Sequence, residues 1–206
     1  MFMQTLQNRY TCRSFNNEMN VSDADLETVH EAARISPSCF NLQHWKLLVI
    51  KGRDKKESIK HCFHMGKNSI MVSDSSILII VLSKKAEILR AGTEYVSNIF
   101  NSLYEDELIR KHIYEGYAKK YPTDEDINNW SKRQCMLAVS NIVNCATSLS
   151  INSAIMEGFK EDPLSECINL DRNLYDPVVC IALGYAKPGK IKRATRIEME
   201  ELVEFL

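Results

Sequence analysis

The sequence predicts an α+β domain, with helices packed on both faces of a small sheet. Three observations carry that class. The runs Ile77-Leu-Ile-Ile-Val-Leu82 and Val178-Val-Cys-Ile-Ala-Leu183 are apolar at consecutive positions, so both faces of these strands need cover. Between them lie long stretches whose apolar residues recur at helical spacing. The connections are uneven in length, and neither GxGxxG nor GxxxxGK[ST] occurs, which argues against a regular doubly wound sheet.

In chain order, Val21-Ser-Asp-Ala-Asp-Leu26 opens a helix: Ser22 can cap, and Asp25 lies three residues on. Leu26, Val29 and Ala32–Ala33 carry it to about Ile35, where Ser36-Pro37-Ser38 follows. Lys46-Leu-Leu-Val-Ile-Lys51 reads as a strand and 77–82 as a second. From about Glu87 to Lys120 the pattern is helical, with Tyr95, Phe100, Tyr104, Tyr114 and Tyr117 among exposed charges. Tyr121-Pro-Thr-Asp124 breaks it. Trp130 to Leu149 is a long helix with Met136, Val139, Ile142, Val143 and Ala146 on its apolar side. Asn152 to Phe159 holds a short strand, and 178–183 is the last, closing in Gly184-Tyr185. The tail, Lys192 to Leu206, is basic first and then acidic and amphipathic. No repeat interrupts this order, so residues 1–206 read as one domain.

Hydrophobic content is 45% and charged content 26%, which suits a globular protein. A net charge of −1 excludes a broad nucleic-acid footprint, because phosphate backbones require clustered excess cation. Any bound anion should be small and held by a few local groups. No run approaches eighteen apolar residues, so no membrane span is expected. The start, MFMQTLQNRYTCRSF, lacks a basic region followed by an apolar core, so no signal peptide is expected. Seven cysteines, none in CxxC, read as free thiols in a reducing cytoplasm. The histidines, at 30, 44, 61, 64 and 112, show no metal-ligand spacing with carboxylates, and no metal is expected.

Four stretches could carry chemistry. Arg9 and Arg13, four apart in NRYTCRSF, would share a face on a helix and present guanidinium forks to phosphate or carboxylate, with Thr11 adding a hydroxyl. Taken alone they read as two charges on a solvated helix end. Ile35-Ser-Pro-Ser-Cys-Phe-Asn-Leu-Gln-His-Trp45 is polar, with Phe40 and Trp45 interleaved; it suits a flat heteroaromatic ligand or a self-satisfied loop. Glu157-Gly158 ends a short strand, where glycine permits close backbone approach or simply turns the chain. Lys190-Ile-Lys-Arg-Ala-Thr-Arg196 holds four cations in seven residues, a binding segment or a solvated one.

In order and separation these stretches resemble the nitroreductase family of FMN-dependent NAD(P)H oxidoreductases. The resemblance spans nearly the whole chain. Arg9, Arg13 and Phe15 match R-x-x-x-[RK]-x-F; Ser36 to Trp45 match S-P-S-x-x-N-x-Q-P-W apart from His44; Glu157-Gly158-Phe159 matches the glycine-bearing turn; Arg196 matches the tail arginine. The resemblance implies a small, mainly antiparallel sheet flanked by helices, and a homodimer whose C-terminal segment is exchanged to the partner. It implies that Arg9, Thr11 and Arg196 hold the FMN phosphate, with Tyr10 and Arg193 beside them. Arg13 would face the flavin pyrimidine edge, where fixed positive charge favours the reduced ring. Asn68 would bond the ring edge, and Met156, Glu157 and Gly158 would lie near N5. Pro37, Ser38, Cys39 and Asn41 would reach the FMN of the other subunit. A helical cover, about 87–130, would close the pocket, lined by Phe40, Tyr114 and Tyr117. NADH or NADPH would be the reductant and a nitroaromatic or quinone the acceptor, in a ping-pong cycle with no catalytic side chain.

The chain departs from the family pattern at His44 (usually Pro), at Cys39 (often Ser), at Met71 (often Lys) and in Ser148–Ser153, which lacks the usual glycines. Alternatives at this stage are a flavin-dependent dehalogenase or flavin-consuming relative, a catalytically idle FMN-binding dimer, and an α+β domain without cofactor.

Overall fold

The computed structural model describes residues 2–206. Strands β1 (Trp45–Ile50), β2 (Ile77–Lys84), β3 (Asn152–Met156) and β4 (Tyr175–Gly184) form one antiparallel sheet in the order β1-β2-β4-β3. The helices are α1 (Phe2–Asn8), α2 (Asp23–Arg34), α3 (Arg53–Ile59), α4 (Asn68–Asp74), α5 (Ala86–Leu89), α6 (Glu94–Leu103), α7 (Glu107–Lys120), α8 (Asp124–Ser148), α9 (Glu161–Cys167) and α10 (Met199–Leu202).

The apolar runs are apolar because β2 and β4 are the two central strands. Successive side chains point to opposite faces. Ile77, Ile79 and Val81 join Val179, Ile181 and Leu183 in one core, closed by α2 and α8. Leu78, Ile80 and Leu82 join Cys180 and Ala182 in a second, closed by α3, α4 and α9. A third core lies in the cover, where Val96 and Phe100 of α6 and Tyr117 of α7 pack on Trp130 of α8 and Leu42.

Helix starts follow their caps. Ser22 accepts from the Asp25 amide at 3.1 Å, as its spacing predicts. The helical stretch from Glu87 to Lys120 divides into α5, α6 and α7, because Thr93 accepts from Val96 N and Asp106 accepts from Leu108 N and Ile109 N. Each such side chain begins a new helix. The long helix starts at Asp124 rather than near Trp130, through a capping box of Thr123 and Asp126. Met136 lies off its buried side, 38% exposed. Helices α1, α3, α4, α9 and α10 span seven residues or fewer, too short to show a period in the sequence.

The missing glycines after α8 leave a visible consequence. Ser150 stands at φ 62°. Its amide donates to Thr147 O at 3.0 Å and the Ile151 amide to Ala146 O at 2.8 Å, the two bonds of a Schellman closure. A glycine carries no Cβ penalty in this left-handed position. Ser150→Gly is therefore expected to raise unfolding stability by about 0.5–1 kcal/mol, the relieved strain being partly offset by added freedom of the unfolded chain. Denaturant midpoints of the two proteins check this; a lower midpoint for the glycine variant would contradict it.

Candidate functional site

The opening octet does not form the helix that its arginine spacing suggested. α1 ends at Asn8, because the backbone beyond it is taken by the sheet edge. The Cys12 amide donates to Ser153 O at 2.9 Å, the Asn16 amide to Tyr185 O at 2.7 Å, and the Lys187 amide to Ser14 O at 3.0 Å. Thr11 thereby bridges Ser153 of β3 in parallel. A common face arises all the same, from a period of two. Cys12 and Phe15 are buried, while Thr11 and Arg13 are exposed and Arg9 is half-buried.

That face forms one wall of a cleft of about 760 Å³. Residues 186–196 form the other. Arg9, Arg13, Lys187, Lys190, Lys192, Arg193 and Arg196 line it, with Tyr10 and Thr11, and no carboxylate is among the lining residues. Lys187 pairs with Asp74 at 3.3 Å; the other six cations are still a strong segregation of charge in a chain of net charge −1. Their mutual repulsion in one concavity favours an anionic occupant. The Arg193 guanidinium donates to the Gln7 carbonyl, tying the tail to α1. Arg196 donates to Thr195 O at 2.8 Å and Ala194 O at 3.2 Å.

Beyond β3 the chain turns at Glu157-Gly158-Phe159, where the Phe159 amide donates to Glu157 O at 2.9 Å. Met156 is buried, Glu157 exposed and Gly158 buried. A Cβ on Gly158 would stand 2.5 Å from Met65 Cβ, so only glycine fits. Asn68 Nδ2 donates to Gly158 O at 3.3 Å, joining the start of α4 to the turn. The other end of α4 is held by the buried Lys56 ammonium, which donates to the Ser75 carbonyl and to Ser76 O at 3.3 Å. Met71 is a core side chain of α4.

The connection from α2 to β1 is strained. Phe40, Asn41 and Gln43 have φ of 56°, 51° and 44°. Such backbone persists only where its surroundings over-determine it. The Lys84 ammonium donates to the Gln43 carbonyl, to Trp45 O at 3.3 Å and to Tyr95 Oη at 2.8 Å. The Tyr95 hydroxyl donates to Leu42 O at 2.8 Å. The Gln43 amide donates to Ser38 Oγ, and the Cys39 amide to Gln134 Oε1, both at 2.8 Å. The Phe40 ring lies 5.4 Å from Tyr117 and 6.2 Å from Trp130. Pro37, Cys39 and Asn41 remain exposed at the tip. Tyr117 is buried in the cover core with its hydroxyl on the Leu89 carbonyl, and the Tyr114 hydroxyl lies 3.0 Å from Ser97 Oγ.

His44 is fully buried, 4.3 Å edge-on from Trp130, and neither ring nitrogen has a well-formed hydrogen bond. Burial, then the Lys84 charge, pulls its pKa down to about 3, against a smaller opposing effect of the Cys39 backbone. Burial likewise pulls Lys84 down to about 8.

One chain does not bring all these groups together. The 35–45 loop leads into β1 at one edge of the sheet, and the Arg9–Arg13 segment lies beyond β3 at the other. The span is four strand spacings, about 19 Å. Arg9, Tyr10, Thr11, Arg13, Arg193 and Arg196 share the cleft; Asn68 and Gly158 meet each other; Pro37, Ser38, Cys39 and Asn41 stand apart from both. Spacing did not reveal the strained backbone of 40–43 or the role of Lys84. Nor did it reveal the approach of His61, Cys62 and Cys167, whose only local sign is the adjacent His-Cys pair.

The chain thus folds as a four-stranded antiparallel sheet wrapped by helices, with a cation-lined cleft at one edge and a strained aromatic loop at the other. The family model of the nitroreductase family matches residues 6–185, and the chain belongs to that family. It is 28% identical to the oxygen-insensitive NADPH nitroreductase of Helicobacter pylori, over 95% of this chain and 93% of that one. It is 29% identical to a Staphylococcus haemolyticus protein assigned as an NAD(P)H nitroreductase, over 96% and 94% of the two chains. An Exiguobacterium sibiricum protein assigned as a nitroreductase, crystallised in complex with FMN, superposes with a TM-score of 0.84 at 18% identity, over 100% of this chain and 97% of that one. Among the described residues, no helix is long and apolar enough to cross a membrane.

The burial of His44 has a pH signature. Its folded pKa lies below the unfolded value of 6.5, so the unfolded chain binds the extra proton as pH falls. Stability drains between pH 6.5 and about 3, by up to about 1.4 kcal/mol per pH unit. His44→Gln removes that proton, and urea unfolding across this range should show a shallower loss. An unchanged pH slope would exclude His44 as its source.

Proposed function

We propose that this protein is an FMN-dependent NAD(P)H oxidoreductase that passes two electrons to nitroaromatic or quinone-type acceptors, with reductant and acceptor using one site in turn. The observation that carries this reading is the carboxylate-free cleft in which Arg9, Thr11, Arg13, Arg193 and Arg196 converge. Its size lies within the range of small-ligand sites. Its donor set fits a phosphate monoester: guanidinium forks, a hydroxyl and several ammonium groups.

Bound FMN would supply hydride acceptance and donation at its N5. Arg9, Thr11 and Arg196 hold the phosphate in this reading. Arg13 places a fixed charge at the pyrimidine edge, favouring the anionic reduced ring. In this reading the turn at Glu157-Gly158, packed against Met65 and tied to Asn68 through Gly158 O, would present its backbone near N5, with Asn68 at the ring edge. In this reading the cover of a second copy, packed on its 35–45 loop, closes above the cleft, with Phe40 and Tyr114 as candidate walls and Tyr117 supporting them from the cover core.

The roughly 19 Å between the 35–45 loop and the Arg9–Arg13 segment supports a homodimer, in which a second copy would present Pro37, Ser38, Cys39 and Asn41 to the cleft of the first. The exposed apolar tail supports the same reading: Ile197, Met199, Leu202 and Phe205 have solvent around them in the single chain. Such a patch calls for a partner surface.

The decisive experiment is an absorption spectrum of the purified protein before and after anaerobic NADH or NADPH. A flavin spectrum that bleaches and returns on adding a nitroaromatic or quinone is expected. Bound flavin that no nicotinamide reduces would favour an idle FMN-binding protein; a colourless protein that FMN cannot reconstitute would overturn the proposal. Arg9→Ala and Arg196→Ala should each weaken FMN binding by about 10- to 150-fold, the loss of one charge-assisted contact. Fluorescence titration of the apoprotein reads this directly, and wild-type affinity in either variant removes that residue from the phosphate site.

A further inference from the structure

Outside the cleft, the fold gathers three metal-binding side chains. His61 and Cys62 belong to the 3-10 turn Lys60–Cys62, and Cys167 closes α9. His61 Nε2 lies 3.6 Å from Cys62 Sγ and 4.0 Å from Cys167 Sγ, and all three donor atoms fall within 4.8 Å of one another. We propose that His61, Cys62 and Cys167 bind Zn²⁺ through two thiolates and one imidazole, leaving a fourth position to water.

The spacing is that of a coordination polyhedron. Zn–S of about 2.3 Å and Zn–N of about 2.0–2.1 Å put a tetrahedral N···S edge near 3.6 Å and an S···S edge near 3.8 Å. One observed edge matches, and small side-chain rotations bring in the others. The donor set is borderline-soft, which selects zinc over magnesium or calcium. Exposure is graded: Cys62 is buried, Cys167 half-buried and His61 exposed, so the cluster has a floor and an entry path. Thiolate ligation releases the thiol protons. Two S–H bonds break, two S–Zn bonds form and two protons leave to solvent, with no electron transferred.

The site would also join two segments of the molecule. Cys62 O accepts the Lys160 amide at 2.9 Å, and Phe63 bridges Phe159. The cation would therefore sit directly behind the Glu157-Gly158 turn and fasten α9 to the segment leading into α4.

Anaerobic titration of the reduced full-length protein with Co²⁺ tests the site. The ligand-field bands of tetrahedral thiolate-bound cobalt lie to the red of oxidised flavin, so they are readable whether or not flavin is present. Bands that saturate at one Co²⁺ per chain, vanish on adding Zn²⁺, and require more than about 10-fold higher cobalt in Cys167→Ser and in His61→Ala are expected. Both variants change accessible positions, which avoids the folding burden of altering buried Cys62. Absence of these bands, or bands unaffected by both substitutions, would overturn the proposal. So would a Cys62–Cys167 disulfide in the isolated protein, if cobalt still fails to bind after its reduction.

Discussion

The ammonium of Lys84 is the point on which three parts of the molecule depend. It ends central strand β2, holds the carbonyls of Gln43 and Trp45, and bonds the hydroxyl of Tyr95 on α6. Sheet, loop and cover thus meet at one charge. The loop it holds carries three residues at positive φ, each disfavoured by about 1 kcal/mol or more for a residue with a Cβ. Burying the ammonium is itself costly, as its depressed pKa records. The arrangement persists because several oxygen partners replace water at once. It fixes the exposed tip, Pro37 to Asn41, on a rigid base rather than on a mobile turn.

The same logic organises the opposite edge. There the N-terminal segment gives its backbone to β3 and to residues 185–187, which frees Arg9, Thr11 and Arg13 to face outward. Both regions assigned to the proposed site are irregular chain, and both are immobilised by hydrogen bonds to regular elements. Between them the sheet acts as a spacer. Its width separates the two groups of residues so that completing a site around one small ligand takes a second subunit in the proposed dimer.

Much of this was legible in the sequence. Consecutive apolar residues at 77–82 and 178–183 identify the two strands covered on both faces. Ser22 and Asp25 mark the start of α2, and Tyr121-Pro122-Thr123 lies in the break between α7 and α8. Legibility fails where long-range contacts override local pattern. Arg9 and Arg13 carry helical spacing, yet hydrogen bonds to Ser153 and Tyr185 take the backbone between and beyond them into a sheet edge. Phe40 has no intrinsic preference for the left-handed region; aromatic contacts and Lys84 hold it there. Lys84 itself reads as an ordinary strand-end lysine. Helices α1, α3, α4, α9 and α10 offer too few turns for a period to appear. His61 and Cys167 stand 106 residues apart and meet only because α9 docks beside the turn at 60–62.

The cleft's charge has a consequence for the lifetime of the chain. Five of its seven cations, Lys187, Lys190, Lys192, Arg193 and Arg196, lie on exposed backbone with no regular structure. Exposed basic residues on irregular backbone are the bonds that trypsin-like proteases cut first. An anion bound among these side chains, as proposed, would shield those bonds, whereas the empty chain offers them to cleavage, and cutting there would sever the apolar tail that follows. Bound ligand would then lengthen the time the chain survives a protease.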